Sequence, residues 1–352
     1  MEKEKIKIGK RLIGEKEPAF IVAELSANHA QNFNLAVKTI RMAKEMGADA
    51  IKLQTYTPDT MTIDAANKYF VIRHPKWGGQ TLYKLYKKAY TPWAWFKRLK
   101  KVADDEGIVF FSTAFDRSAV DLLEGLNVPI HKVASFELTD LPLIEYMAKT
   151  GKPLILSTGM ATIKEINDAV KTAKNAGAGE IALLKCVSSY PAKPKDMHLR
   201  TILDMTKRFG CVVGLSDHTL GVGVSIAAVS IGARIIEKHF TLSRRIKSPD
   251  SFFSIEPQEL RILVDSIRVA EESLGRVSYE PRGEEKNNRI FRRSLFAVKD
   301  IKKDEVLTND NIRSIRPGFG LYPKYLKDAL GKIAKRNIKK GTPLNWGLMR
   351  IK

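Results

Sequence analysis

The side chains with the most chemical reach lie in two short segments, "GLSDH" ending at His218 and "IIEKHF" carrying Glu237, Lys238 and His239. Each segment ends a β-rich apolar run and reads as a strand. Alternation along a strand puts Ser216 and His218 on one face with Asp217 opposite, and Glu237 and His239 on one face with Lys238 opposite. If the two strands are neighbours, the imidazoles converge. Two imidazoles with coordination positions left open suit a divalent transition metal such as Mn²⁺, acting as a Lewis acid on a carbonyl oxygen. Glu237 beside them suits an orienting or a proton-transfer role. A lone histidine in such a place is more often a hydrogen-bonded core residue. The matched pair argues for the metal.

Other apolar runs end in polar residues too: Glu24, then Lys52 with Gln54, Ser112 with Thr113, Lys132 with Ser135, and Ser157 with Thr158. Two lysines and several hydroxyls around one opening make a phosphate cradle of point charges and hydrogen-bond donors. An inward lysine can also act as a Schiff-base nucleophile, or simply snorkel to the rim.

The elements that must position these groups are eight β-rich runs: "PAFIVAEL", "ADAIKLQTY", "GIVFFSTAF", "VPIHKVAS", "PLILSTG", "IALLKCVSSY", "CVVGLSDH" and "ARIIEKHF". Helical stretches alternate with them, such as "NFNLAVKTIRMAKEMGA" closed by Gly47, and "TIKEINDAVKTAKNAGA" with Thr162 as N-cap and Gly177 as stop. This is the arithmetic of a TIM (β/α)8 barrel, whose chemistry sits at the C-terminal ends of the strands. Residues 57–91 break the rhythm with a long excursion after the second run, where barrels keep lids and specificity loops. The expected catalytic domain spans 1–275, a polar linker 276–293, and a small β-rich domain 294–352. The last contains an internal echo, basic-x-Ile-Lys-Lys-x-x-x-Leu, in "VKDIKKDEVLTNDNI" and "KRNIKKGTPLNWGLM".

Of the 352 residues 44% are hydrophobic and 28% charged, the composition of a globular protein. No run approaches the ~18 apolar residues of a membrane helix, and "MEKEKIKIGKRLIG" lacks the apolar core of a secretory signal, so a cytoplasmic protein is expected. The net charge of +21 favours anionic ligands. The basic residues are nonetheless interleaved with acidic ones, as on solvated helix faces, without the basic stripe and aromatics of a nucleic-acid binder. Cys186 and Cys211 lack ligand-like spacing and read as small buried hydrophobes.

The ordered segments "AELSANH", "GADAIKLQTYTPDTMT", "GGQTLYKLYKKAYTPW", "FFSTAFD", "HKVAS", "ILSTGM", "GLSDHT", "IEKHFTL", "PDSFFSIEP" and "RPGFG" resemble the sialic acid synthase family, and within it most closely the pseudaminic branch. The resemblance implies a TIM barrel joined to an antifreeze-like (SAF) domain, and condensation of phosphoenolpyruvate with an open-chain amino sugar, releasing phosphate. It also implies a homodimer in which the small domain of one copy covers the barrel mouth of the other. By resemblance His218 and His239 hold the metal, Mn²⁺ with Mg²⁺ or Co²⁺ as alternatives. Lys52, Thr113, Lys132, Ser135, Ser157 and Ser216 hold phosphoenolpyruvate, Glu24 and Glu237 lie by the reacting carbons, and Tyr190, Asp250 and Arg316 contact the sugar. Either glutamate suits the base that activates water. Leu53 and Ser188 depart from the acetylneuraminate pattern and are expected near the sugar. The aromatic excursion from Tyr69 to Tyr90 is expected either to wall the methyl of a trideoxy sugar or only to fasten itself to the barrel.

Overall fold

The computed structural model describes residues 5–74 and 76–351, and these divide into two compact units, 1–275 and 276–352. The first is a closed barrel of eight parallel strands, β3 (Phe20–Glu24), β4 (Ala50–Thr55), β5 (Val109–Ala114), β6 (His131–Val133), β7 (Leu154–Ser157), β8 (Ile181–Cys186), β9 (Val212–Asp217) and β10 (Ile235–His239), with β10 closing on β3. All eight expected runs are strands. Their apolar residues continue without strict alternation because both faces of a parallel sheet are buried. One face, with Ile21, Ile51 and Phe110, packs under the helices; the other, with Phe20, Phe111 and Ile155, fills the barrel.

The first unit also contains an N-terminal hairpin that the sequence pattern did not reveal, β1 (Ile6–Ile8) paired antiparallel with β2 (Arg11–Ile13). Its Ile6, Ile8 and Ile13 are fully buried in the interior cluster with Phe20 and Val22. Each such burial is worth roughly 1.5–3 kcal/mol.

Among the described residues a barrel helix packs after each strand, and several of these helices begin at a capping side chain. Asn32 caps Phe33–Glu45 by accepting from Leu35 N, and Thr162 forms a capping box with Glu165 at the head of Ile163–Asn175, each satisfying otherwise orphaned N–H groups. The long excursion holds the turn of helix Pro58–Met61 and helix Leu82–Ala89 before the barrel helix Trp93–Glu106 begins. Gly214 on β9 permits a close strand approach, since a Cβ there would lie 2.3 Å from Ile235 O.

β9 and β10 are tied together on their outer face. Lys238 Nζ donates to Asp217 Oδ2 at 2.9 Å and to Thr219 O at 2.7 Å, while Asp217 also accepts from Thr219 N, Thr219 Oγ1 and Ser225 Oγ. Both charges are at most 2% exposed.

In the second unit β11 (Ser294–Ala297) pairs antiparallel with β12 (Ile312–Ile315), and β13 (Ile333–Ala334) with β14 (Met349–Arg350). This unit takes in the polar stretch 276–293, where Glu284–Asn288 is a short helix. The internal echo has a structural meaning: equivalent residues Ile301 and Ile338 exchange backbone hydrogen bonds of 2.8 Å. Equivalent side chains Asp300 and Asn337 likewise accept from Lys340 N and Lys303 N. Leu307 and Leu344, the closing residues of the two copies, share one core.

Replacing Lys238 by Met should strand the buried Asp217 carboxylate. The expected loss is about 3–5 kcal/mol in urea-induced unfolding, against a small effect for Lys164→Met in the exposed Lys164–Asp168 pair.

Candidate functional site

Inward alternation brings one residue or two from each strand end into a single layer. Lys52 Nζ lies 2.5 Å from Glu24 Oε2 and 3.7 Å from Glu237 Oε2, and donates to Thr113 Oγ1 at 3.1 Å. Ser216 Oγ donates to Glu237 Oε1 at 3.0 Å. Across the layer Lys132 Nζ donates to Ser157 Oγ at 2.6 Å and Val133 O at 2.9 Å. Both partners are neutral, and among the described residues this fully buried ammonium forms no ion pair. Ser135, expected on the fourth strand, instead opens the turn after β6 and accepts from Gly159 N at 3.0 Å. Gly159 is needed there, because a Cβ would meet Ser188 Oγ at 2.3 Å and Ser135 Oγ at 2.7 Å.

The electrostatics separate the two carboxyls. Burial, opposed by Lys52 and reinforced by the charge of Glu237, pushes Glu24 up to about 7. Burial acts on Glu237 as well, but Lys132, Lys52 and the Ser216 hydrogen bond outweigh it and hold this group below its ordinary value. Burial lowers Lys132; at Lys52 it is outweighed by Glu237 and Glu24, and that ammonium is raised. Environments that split a pair of carboxyls in this way commonly divide acid–base from purely electrostatic work.

His218 and His239 face each other with ring centroids 5.3 Å apart. His218 Nδ1 lies 3.0 Å from Val187 O, so its Nε2 is left as the ligating nitrogen. His239 Nδ1 has no hydrogen-bond partner and lies 3.7 Å from Asp250 Oδ2. Burial, with His218 and Lys52, holds His239 well below its ordinary value, so its ring is a neutral donor. This donor set fits a divalent cation. Among the described residues no group of three or more His, Cys, Asp or Glu is arranged to hold one, so the pair offers two protein ligands. Asp250 is itself aimed by Ser26, whose Oγ donates to Asp250 Oδ2 at 2.5 Å from a left-handed backbone with φ 44°. A non-glycine residue held there is a strained position of the kind that clusters at functional sites.

Tyr190 lies over the histidines, with centroids 4.5 Å from His218 and 6.4 Å from His239. Arg316 is an exposed residue of the second unit. Several expectations are corrected. Leu53 belongs to the cluster under the helices and is far from any mouth-lining role, while Ser188 does lie at the Gly159 turn. Ser112 shares the outer face and bonds Thr55, and Thr158 bonds Leu184 O, so neither joins the layer. Gln54 alternates with Lys52 and pairs in register with Thr113, but among the described residues it forms no hydrogen bond within the layer.

Two members were missed. Cys186 continues the inward series Ala182, Leu184 and lies 3.9 Å from His218 Nδ1; strand alternation alone would have found it. Glu137, in the turn after β6, is raised to about 7 by burial against the pull of Lys132, and its Oε2 has no partner. Only the turn geometry places it.

Comparison with known proteins matches the NeuB family over residues 39–279 and the SAF domain over 292–348. The chain is 45% identical over 332 residues to the pseudaminic acid synthase of Helicobacter pylori, covering 94% of this chain and 97% of that one. It is 35% identical over 338 residues to the N,N'-diacetyllegionaminic acid synthase of Legionella pneumophila, covering 95% of each. Among solved structures, the N-acetylneuraminic acid synthetase of Leptospira borgpetersenii, crystallised with citrate, is similar with a TM-score of 0.73 and 34% identity, over 81% of this chain and 95% of that one. A parallel barrel whose inward layer pairs lysines with carboxyls and ends in two facing histidines, followed by a SAF domain, thus belongs to the NeuB family of sialic acid synthases.

Proposed function

We propose that the chain condenses phosphoenolpyruvate with 2,4-diacetamido-2,4,6-trideoxy-altrose, giving pseudaminic acid and phosphate. The observation that carries the reading is Lys132, a buried ammonium whose hydrogen bonds go only to the neutral Val133 O and Ser157 Oγ and whose attraction to Glu237 does not outweigh its burial, beside a second lysine, Lys52. Such a charge is costly in isolation, and a polyanion that enters the layer offsets that cost. Ser157, Thr113, Ser135 and Ser216 supply hydroxyls to the same ligand. The 45% identity to a pseudaminic acid synthase supports the choice of sugar over N-acetylmannosamine or the legionaminic precursor.

In this reading C3 of phosphoenolpyruvate attacks the aldehyde carbon, water adds at C2, and the resulting tetrahedral centre expels phosphate. His218 and His239 would hold a divalent cation, Mn²⁺ by preference, which would supply Lewis acidity toward the aldehyde oxygen. Glu24, the carboxyl brought near 7, takes the proton from the attacking water. Glu237 stays anionic and steadies the positive character that develops at C2. Tyr190 and Asp250 position the sugar. Arg316, supplied by a second copy of the chain, reaches an acetamido group in a homodimer. A cytoplasmic setting suits the co-substrate, and no helix among the described residues is long and apolar enough to cross a membrane.

The lowered Lys132 also favours a second reading, a Schiff-base aldolase. Borohydride with substrate present separates the two: no lysine adduct is expected, and a trapped Lys132 adduct would overturn condensation.

With phosphoenolpyruvate, Mn²⁺ and each sugar in turn, phosphate release should be fastest with the diacetamido trideoxy-altrose and should stop on adding a chelator; turnover of N-acetylmannosamine alone would reject the assignment. Glu24→Gln should lower kcat roughly 100- to 10,000-fold with little change in phosphoenolpyruvate binding measured by calorimetry. Arg316→Ala should raise the KM for the sugar without unfolding the chain. Mixing it with the inactive Lys52→Ala and letting the chains exchange should bring back turnover at the wild-type KM for the sugar, as two defects in separate half-sites must.

A further inference from the structure

The excursion after β4 contributes one residue that the condensation chemistry leaves unused. Trp77 Nε1 donates to Pro249 O at 2.8 Å, which fastens the excursion to the loop carrying Asp250. His74 stacks on the indole at 4.4 Å, and Gly78 allows the tight turn beneath it, since a Cβ there would lie 2.5 Å from His74 O. The indole is only half-buried. It approaches Tyr190 at 5.6 Å and Phe252 at 6.0 Å.

These rings form tiers. His218 and His239 lie deepest, Tyr190 and Phe253 stand 4.5–4.8 Å from them, and Trp77 and Phe252 stand a further 5.0–5.6 Å out. In the condensation reading the sugar's aldehyde end lies at the histidines, and this stack offers its far end an apolar path outward. Five carbon–carbon bonds of about 1.5 Å in a zigzag carry C6 roughly 6 Å from C1. A methyl there reaches van der Waals contact, about 3.5–4.0 Å, with the outermost tier.

We propose that Trp77, backed by Phe252, is the apolar seat of the substrate's C6 methyl and the residue that selects a 6-deoxy sugar over its 6-hydroxy counterpart. The inference rests on the condensation reading and deepens it. The ring edges and faces at this tier offer a C6 hydroxyl no acceptor of their own; the indole N–H is already committed to Pro249 O. A methyl gains by covering the half-exposed indole face, whereas a hydroxyl forfeits that gain and finds no acceptor on the rings.

The test compares two substrates that differ by one oxygen, 2,4-diacetamido-2,4,6-trideoxy-altrose and 2,4-diacetamido-2,4-dideoxy-altrose, with the full chain, Mn²⁺ and phosphoenolpyruvate. The wild type should favour the 6-deoxy sugar in kcat/KM by about 10- to 100-fold. Trp77→Ala should collapse that ratio towards unity while the KM for phosphoenolpyruvate stays as it was. Trp77→Phe, which keeps an aromatic face and loses the bond to Pro249, should retain most of the preference. If Trp77→Ala lowers kcat/KM equally for both sugars, or the wild type shows no preference, Trp77 only fastens the excursion and the proposal fails. If the wild type turns over neither sugar, the condensation reading itself has failed, a result visible before any variant is made.

Discussion

The barrel is organised around charge that it holds out of water. Glu24, Lys52, Lys132 and Glu237 are all at most 5% exposed, and burying an ion costs several kcal/mol unless its partners are well placed. Closure of β10 onto β3 provides the partners. The register sets Glu24 beside both Lys52 and His239, and Glu237 beside Ser216, so Lys52 finds a carboxyl on either side. Lys132 is the exception. Its hydrogen bonds go only to neutral acceptors, Glu237 attracts it without a direct ion pair, and burial still lowers it; such incompletely compensated charge persists where function requires it.

The same layer explains how two glutamates in one cavity differ. Each is fully enclosed, so burial alone would raise both. Glu237 feels both lysines and a hydroxyl donor, whereas Glu24 has one close lysine and an Oε1 with no hydrogen-bond partner. The distinction is one of placement within a ring of strands. The sequence leaves the two glutamates equivalent because each lies on the inward face in the C-terminal part of its strand.

Alternation along strands was legible wherever a strand is regular. Glu237 and His239, Ser216 and His218, and Lys52 with Thr113 all lie together as their spacing implies. Periodicity cannot say which of two faces points inward, since both are apolar in a parallel sheet. Ser112 therefore looked like a mouth residue and lies on the outer face instead, while Leu53, expected near the sugar from the resemblance alone, lies under the helices, opposite Lys52 as alternation requires. Beyond strand ends the period is lost, which hid Glu137 and moved Ser135 into a turn. The β1–β2 hairpin escaped for a different reason: strands of three residues are too short to show a pattern. In the second unit the repeated Ile-Lys-Lys was visible, while the pairing of the two copies through Ile301 and Ile338 is a long-range fact.

Support for the histidines comes from outside the barrel. Asp217 and Lys238, adjacent in sequence to His218 and His239, point the opposite way and lock β9 to β10 from the helical side, fixing the separation of the imidazoles. On the mouth side Asn28 donates to Phe240 O and Ser254 Oγ and accepts from Ser248 Oγ, which staples the loop after β3 to the loop after β10. Ser26 holds Asp250 in that second loop, and Trp77 binds its Pro249 carbonyl. The segment that aims Asp250 at His239 thus also carries Phe252 and Phe253 and anchors Trp77. A shift of that loop moves the cation's surroundings and the sugar's wall together, so changes to the wall are constrained by the geometry of the histidine pair.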